Sequence, residues 1–151
     1  MHYLKSIQKL PISLDDAWNF FSNPNNLKLI TPPEMTLIPV SEVPEKMYPG
    51  VLFKYKVKPV AGIPLTWVTK ITHVQDKQYF IDEQLVGPYS IWHHEHHFKA
   101  IKGGVEMTDI LWYQVPFGPL GKLVNSIFIK KKVKDIFEYR TKVLIDMFGE
   151  I

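Results

Sequence analysis

Trp92-His93-His94-Glu95-His96-His97-Phe98, continued by Lys99-Ala100-Ile101-Lys102-Gly103-Gly104 and then by Val105-Glu106-Met107-Thr108-Asp109, is the stretch on which the fold turns. Two alternating runs flank a Gly-Gly pair, and glycine reaches the positive φ that tight hairpin turns require. Strands are therefore predicted at residues 89–101 and 105–115, joined across Gly103-Gly104. Successive strand side chains point to opposite faces. Trp92, His94, His96 and Phe98 share one face; His93, Glu95 and His97 share the other. The two aromatic residues mark the first face as the inner one, which takes two imidazoles inside and leaves the other three side chains as a solvated outer face. On the partner strand Met107, Asp109, Leu111, Tyr113 and Val115 form the more apolar, inner set. Pairing Lys102 with Val105 sets Phe98 opposite Asp109, and a shift of two sets His96 there instead. In both registers Asp109 lies one direct or diagonal step from His96.

Upstream, residues 3–10 alternate and read as a first strand, ended by Pro11. Ser13 is an N-cap, and Asp15 and Asp16 favour the positive end of the short helix that carries Ala17, Trp18, Phe20 and Phe21. Asn23-Pro24 breaks this helix, and a second at residues 26–30 is stopped by Thr31-Pro32-Pro33. Further strands are expected at residues 35–40, 51–58, 65–74 and 78–86. Turns fall at 47–50, 59–62, Asp76-Lys77 and Gly87-Pro88. In the second of these strands Val51, Phe53, Tyr55 and Val57 oppose Leu52, Lys54, Lys56 and Lys58, as a half-buried strand requires.

Downstream, residues 116–121 read as a loop and the chain then runs helically to about Phe148. Ile129, Val133, Ile136, Phe137, Val143, Leu144 and Met147 fall on one stripe of that helix. Leu120, Leu123, Val124 and Ile127 form a second stripe rotated by more than a right angle, so a kink or two helices are predicted near residues 128–132. Lys130, Lys131 and Lys132 read as a solvated basic patch, with an amphipathic membrane-surface helix as the alternative. Arg140 sits within the first stripe. A buried arginine needs a counter-ion and so does a buried Asp109, because an unpaired buried charge costs several kcal/mol. The pairs Asp109–Arg140 and Asp109–histidine are the structural options. Asp109 with His96 as acid and base is the catalytic one. His94, His96 and Asp109 match a two-His-one-carboxylate metal set in residue type, but they read as hydrogen-bonded pocket groups with no metal.

Composition narrows the classes. The 151 residues suit one domain spanning 1–151. A net charge of +3 is too mild to imply nucleic acid, and no basic patch with interleaved aromatics supports it. The absence of cysteine excludes disulfides and thiolate metal sites. No apolar run approaches the roughly 18 residues of a membrane span, and the first residues lack signal-peptide character. A cytoplasmic protein with no stable membrane insertion is expected.

The stretches Gly87-Pro88-Tyr89, Trp92-His93-His94-Glu95-His96-His97-Phe98, residues 104–109 running to Tyr113-Gln114-Val115-Pro116-Phe117-Gly118-Pro119-Leu120-Gly121, and Ile136-Phe137-Glu138-Tyr139-Arg140 resemble the START-like, polyketide cyclase and lipid-transport (SRPBCC) superfamily, within it a group of small bacterial ligand-binding proteins. Asp15-Asp16-Ala17-Trp18-Asn19-Phe20-Phe21 with Asn23-Pro24 is similar to its first helix. The resemblance implies an α+β helix-grip: a curved antiparallel sheet of about seven strands around a long C-terminal helix, with two short helices after strand 1 and a cavity between sheet and helix. It implies a small hydrophobic or amphipathic ligand (a lipid, aromatic or polyketide-like molecule) and no cofactor. Phe53, Tyr55, Trp67, Trp92, Tyr113, Phe137 and Leu144 are the expected lining, with His94, His96, Asp109 and Arg140 as polar anchors. The alternatives are a cyclase or dehydratase using Asp109 and His96, and a protein-interaction or assembly factor with its contact face around residues 116–120.

Overall fold

The computed structural model describes residues 1–58 and 62–151, leaving aside the side chain of Ser126. Its strands are β1 (His2–Leu10), β2 (Ile38–Pro39), β3 (Leu52–Val57), β4 (Leu65–Gln75), β5 (Tyr79–Val86), β6 (Ile91–Ile101) and β7 (Gly104–Gln114). Its α-helices are α1 (Leu14–Phe21), α2 (Gly118–Val124) and α3 (Lys130–Phe148). Two 3₁₀ segments, Pro24–Ile30 and Pro33–Met35, follow α1, and a π turn, Asn125–Ile129, joins α2 to α3. The strands form one antiparallel sheet in the order β1-β7-β6-β5-β4-β3-β2, an α+β helix-grip. The turn expected at residues 59–62 lies outside the described residues, apart from Gly62.

Local chemistry sets the elements. Ser13 Oγ accepts from the Asp16 backbone N–H at 3.0 Å and donates to the Asp16 carboxylate at 2.6 Å, closing the first turn of α1. The strand expected at 35–40 shrinks to Ile38–Pro39, because Met35 closes a 3₁₀ turn and Thr36 takes a left-handed conformation. Pro39 has no N–H to donate, which suits this edge position. The hairpin turns one residue earlier than the Gly-Gly pair suggested. Ile101 pairs with Gly104, Phe98 with Met107, and His96 with Asp109, so the Lys102–Val105 pairing is replaced by the register shifted by two. Gly103 supplies the positive φ of +86°. Gly104 already belongs to β7, where a Cβ would strike the backbone carbonyl of Leu10 on β1. Each glycine thus has its own task.

Two irregularities in the β4–β5 register bend the sheet. Against it α3 packs Val133, Phe137 and Leu144, all buried. The first two join Leu111, Tyr113 and Ile129; Leu144 joins Leu10, Trp18, Phe80, Phe98 and Met107. A third cluster, Val51, Phe53, Tyr55, Val57 and Ile71, includes no residue of α3. The helix thus grips one half of the sheet and stands off from the other. The break in the C-terminal helix begins at Asn125, three residues earlier than predicted. It is a π turn, set between the stripe of α2 and that of α3. Among the described residues no helix is long and apolar enough to cross a membrane.

Replacing Gly104 by Ala should cost about 1–3 kcal/mol, as overpacking does, and lower the melting temperature more than Gly103→Ala. Thermal denaturation of both variants checks this; an unchanged melting temperature for Gly104→Ala would mean that β1 and β7 pack less closely than described.

Candidate functional site

Alternation along β6 carries His94 and His96 to the inner face, where they are 4% and 8% exposed. The neighbouring strands each deliver a carboxylate to the same place. Register sets Asp82 of β5 opposite His94 and Asp109 of β7 opposite His96. His96 lies between both acids: Nδ1 is 2.8 Å from Asp109 Oδ1, and Nε2 is 2.9 Å from Asp82 Oδ2. His94 Nε2 is 3.1 Å from the same Asp109 oxygen, while its Nδ1 stands 3.7 Å from Asp82. The two rings are 3.9 Å apart between centroids, and Phe80 stacks on His96 at 4.3 Å.

The protonation states follow from these contacts. Burial pushes His96 down, but hydrogen bonds to Asp109 and Asp82 and the charges of both acids outweigh it, so its pKa is raised. An imidazole donating from both nitrogens is an imidazolium. His94 goes the other way: burial and the neighbouring His96 charge lower its pKa against the pull of the two acids. Neutral His94 donates from Nε2 to Asp109. Burial would raise both carboxylates, yet the histidines hold Asp109 well below its usual range and, with Arg140, hold Asp82 below its own. The cluster is then two carboxylates, one imidazolium, one guanidinium and one neutral imidazole.

Arg140 reaches this cluster from α3, but only loosely. Its Nη1 is 4.0 Å from Asp109 Oδ1, and its guanidinium lies over the Phe137 ring at 5.3 Å. The histidines are the close partners of Asp109, not Arg140. On the outer face His93 meets Glu83 at 2.8 Å and His97 meets Glu95 at 2.7 Å.

Above the cluster lies a cavity of about 160 Å³ between sheet, α3 and the segments after α1. Phe53, Tyr55, Trp67, Trp92, His94, His96, Asp109 and Arg140 all line it. Tyr113, Phe137 and Leu144 do not: they are buried in the packing of α3 against the sheet. Helical spacing explains the difference. Lys132, Ile136 and Arg140, four apart, form the row facing the cavity, whereas Val133 and Phe137 form the adjacent row pressed on the sheet. Sequence reasoning missed Asp82 and Tyr89. Asp82 had a signal, since it shares a strand face with Phe80, but its register against β6 was not readable.

Tyr55 Oη and Arg140 Nε are buried without a hydrogen-bond partner among the described residues. Burial and then the Asp82 charge push the Tyr55 hydroxyl up to about 12, so it stays protonated. Both orphans are therefore donors available at the cavity wall. Asp82, His94 and His96 also bring one ligand atom each within 4.8 Å of one another. Such a donor set suits a divalent transition metal, which would have to replace the proton His96 shares with Asp82.

No family model matches the chain, and no curated protein matches it. Solved structures do. Protein CV1439 from Chromobacterium violaceum aligns over 100% of both chains at 8% identity with a TM-score of 0.74. Protein Ms6760 from Mycobacterium smegmatis aligns over 96% of this chain and 92% of its own, at 16% identity and a TM-score of 0.66. Ara h 8.0201 aligns over 96% and 98%, at 13% identity and a TM-score of 0.63. At such identities the likeness shows the helix-grip fold and nothing finer.

Folding favours protonated His96, whose folded pKa lies above the unfolded value of about 6.5. That stabilisation is complete below about pH 6.5 and is lost as pH rises through the raised folded value. The melting-temperature gap between the native protein and His96→Gln should thus narrow over the range above about pH 6.5. Circular dichroism melts across that range check it, and a constant gap would show that folding does not raise the His96 pKa.

Proposed function

We propose that this chain binds a small hydrophobic or amphipathic molecule in the cavity between sheet and α3, as a START-like (SRPBCC) ligand-binding protein. One observation carries the reading: an apolar cavity whose wall holds two buried donors, Tyr55 Oη and Arg140 Nε, with no partner among the described residues. Orphaned buried donors cost about 1–3 kcal/mol each, and a ligand oxygen recovers that cost. An engineered apolar cavity of about 150 Å³ holds benzene, so the enclosed part of the ligand is ring-sized. The His96 imidazolium and the Arg140 guanidinium already balance the two carboxylates, so a neutral carbonyl or hydroxyl oxygen is enough to satisfy both donors. Trp67, Trp92 and Phe53 supply the flat apolar walls.

A second reading has its own support. His94 and His96 sit side by side with pKa values moved in opposite directions, an arrangement that also serves acid–base chemistry. In it Asp109 and His96 act on a bound carbonyl compound, as a cyclase or dehydratase would.

Native mass spectrometry after incubation with a metabolite extract tests both. A small molecule should be retained by the native protein. Retention should vanish in Ile136→Trp, which plugs the cavity, and weaken about tenfold in Tyr55→Phe, the loss of one hydrogen bond. Equal retention by native protein and Ile136→Trp would sink the binding reading. Recovery of the compound with altered mass, lost in Asp109→Asn but with binding intact, would favour the enzyme.

A further inference from the structure

Between residues 110 and 134 the chain carries five lysines and not one aspartate or glutamate, although lysine plus arginine exceeds acid by only 18 to 15 overall. The same segment holds the exposed apolar residues of α2 and the π turn. Phe117 is 78% exposed, Leu120 64%, Ile127 55% and Phe128 62%, with Val124 beside them at 37%. Leu120, Val124, Ile127 and Phe128 follow at i, i+4, i+7 and i+8, the spacing of one helix face. Phe117 stands at the N-cap of α2 in a left-handed conformation. Lys122, Lys130 and Lys131 are exposed in the same segment. Lys131 also reaches Asp135 at 2.7 Å, Lys134 reaches Glu138 at 3.1 Å, and Lys132 lies 3.8 Å from Glu34.

This face is the stripe of α2, rotated by more than a right angle from that of α3, and the π turn continues it. Its apolar side chains point away from the row that presses on the sheet, and they are exposed. A large apolar side chain left in water is unremarkable singly, but a contiguous set marks a contact surface. The charge selects the partner. A second copy docking by the same face would bring lysines against lysines, whereas a negatively charged surface attracts them.

We propose that Phe117, Leu120, Val124, Ile127 and Phe128, flanked by Lys122, Lys130 and Lys131, form a docking face for an anionic lipid bilayer. The helix lies in the plane of the interface, apolar side chains among the acyl chains and ammonium groups at headgroup level. Contact is peripheral and reversible. It places Lys132 and Ile136, the first residues of the cavity row on the same continuous helix, next to the bilayer. The docking does not depend on what the cavity binds.

Flotation of the full chain with phosphatidylcholine vesicles, and with vesicles containing about 30% phosphatidylserine, tests it. Binding should be at least about tenfold stronger to the anionic vesicles and fall as salt rises. Leu120→Ser with Phe128→Ser should reduce it about tenfold or more, and Lys130→Glu with Lys131→Glu should erase the lipid preference. These positions are exposed, so melting temperatures should stay within a few degrees of native. No binding to anionic vesicles by folded protein would overturn the proposal, as would equal binding by the Leu120/Phe128 variant. Concentration-dependent self-association that this variant abolishes, without vesicle binding, would assign the face to a second copy instead.

Discussion

One imidazole held between two carboxylates organises the interior. His96 bonds Asp82 on one side and Asp109 on the other, and so ties β5, β6 and β7 together through side chains. A slip of one residue in either pairing would turn an acid to the outer face and leave a buried charge without a partner, an error worth several kcal/mol. The hairpin register and the packing of Phe80 on the ring both accord with this arrangement. Buried ionic clusters stabilise little compared with apolar replacements. Their presence here is better understood through what they specify: one alignment of three strands, and a polar patch at a fixed point in a mostly apolar cavity.

The same clamp explains which parts of the site were legible in the sequence. Period-two alternation told which histidines face inward, because Trp92 and Phe98 frame them. Asp109 could be placed near His96 from the hairpin alone. Asp82 could not, since β5 and β6 are joined through Gly87-Pro88-Tyr89-Ser90, a connection that fixes no register by itself. The expected Asp109–Arg140 pair turned out long, at 4.0 Å, because the histidines reach Asp109 first and leave the guanidinium resting on Phe137. Alternation and helical stripes identify buried faces. They do not separate a side chain pressed on the sheet from one bordering a cavity, and Tyr113, Phe137 and Leu144 were misplaced for that reason. The helix-grip itself was readable from the order of elements.

Helix α3 divides its labour by rows one residue apart. Val133 and Phe137 anchor it, while Lys132, Ile136 and Arg140 look into the cavity. The stripe of α2 and the π turn ahead of them add a third orientation, outward. The helical run from α2 to α3 therefore presents three surfaces.

The third apolar cluster, under β3 and β4, includes no residue of α3 among those described. The cavity is thus bounded on one side by a wall braced by the helix and on the other by a wall that is not. Under the proposed binding reading an occupant would press on them unequally: the braced side, carrying the polar cluster, would keep its shape, and the unbraced side would take up the difference. On that reading such a container would hold a ligand's polar end at fixed coordinates and adjust its width around the rest, so that chemistry at the head would be read strictly and the bulk of the body loosely.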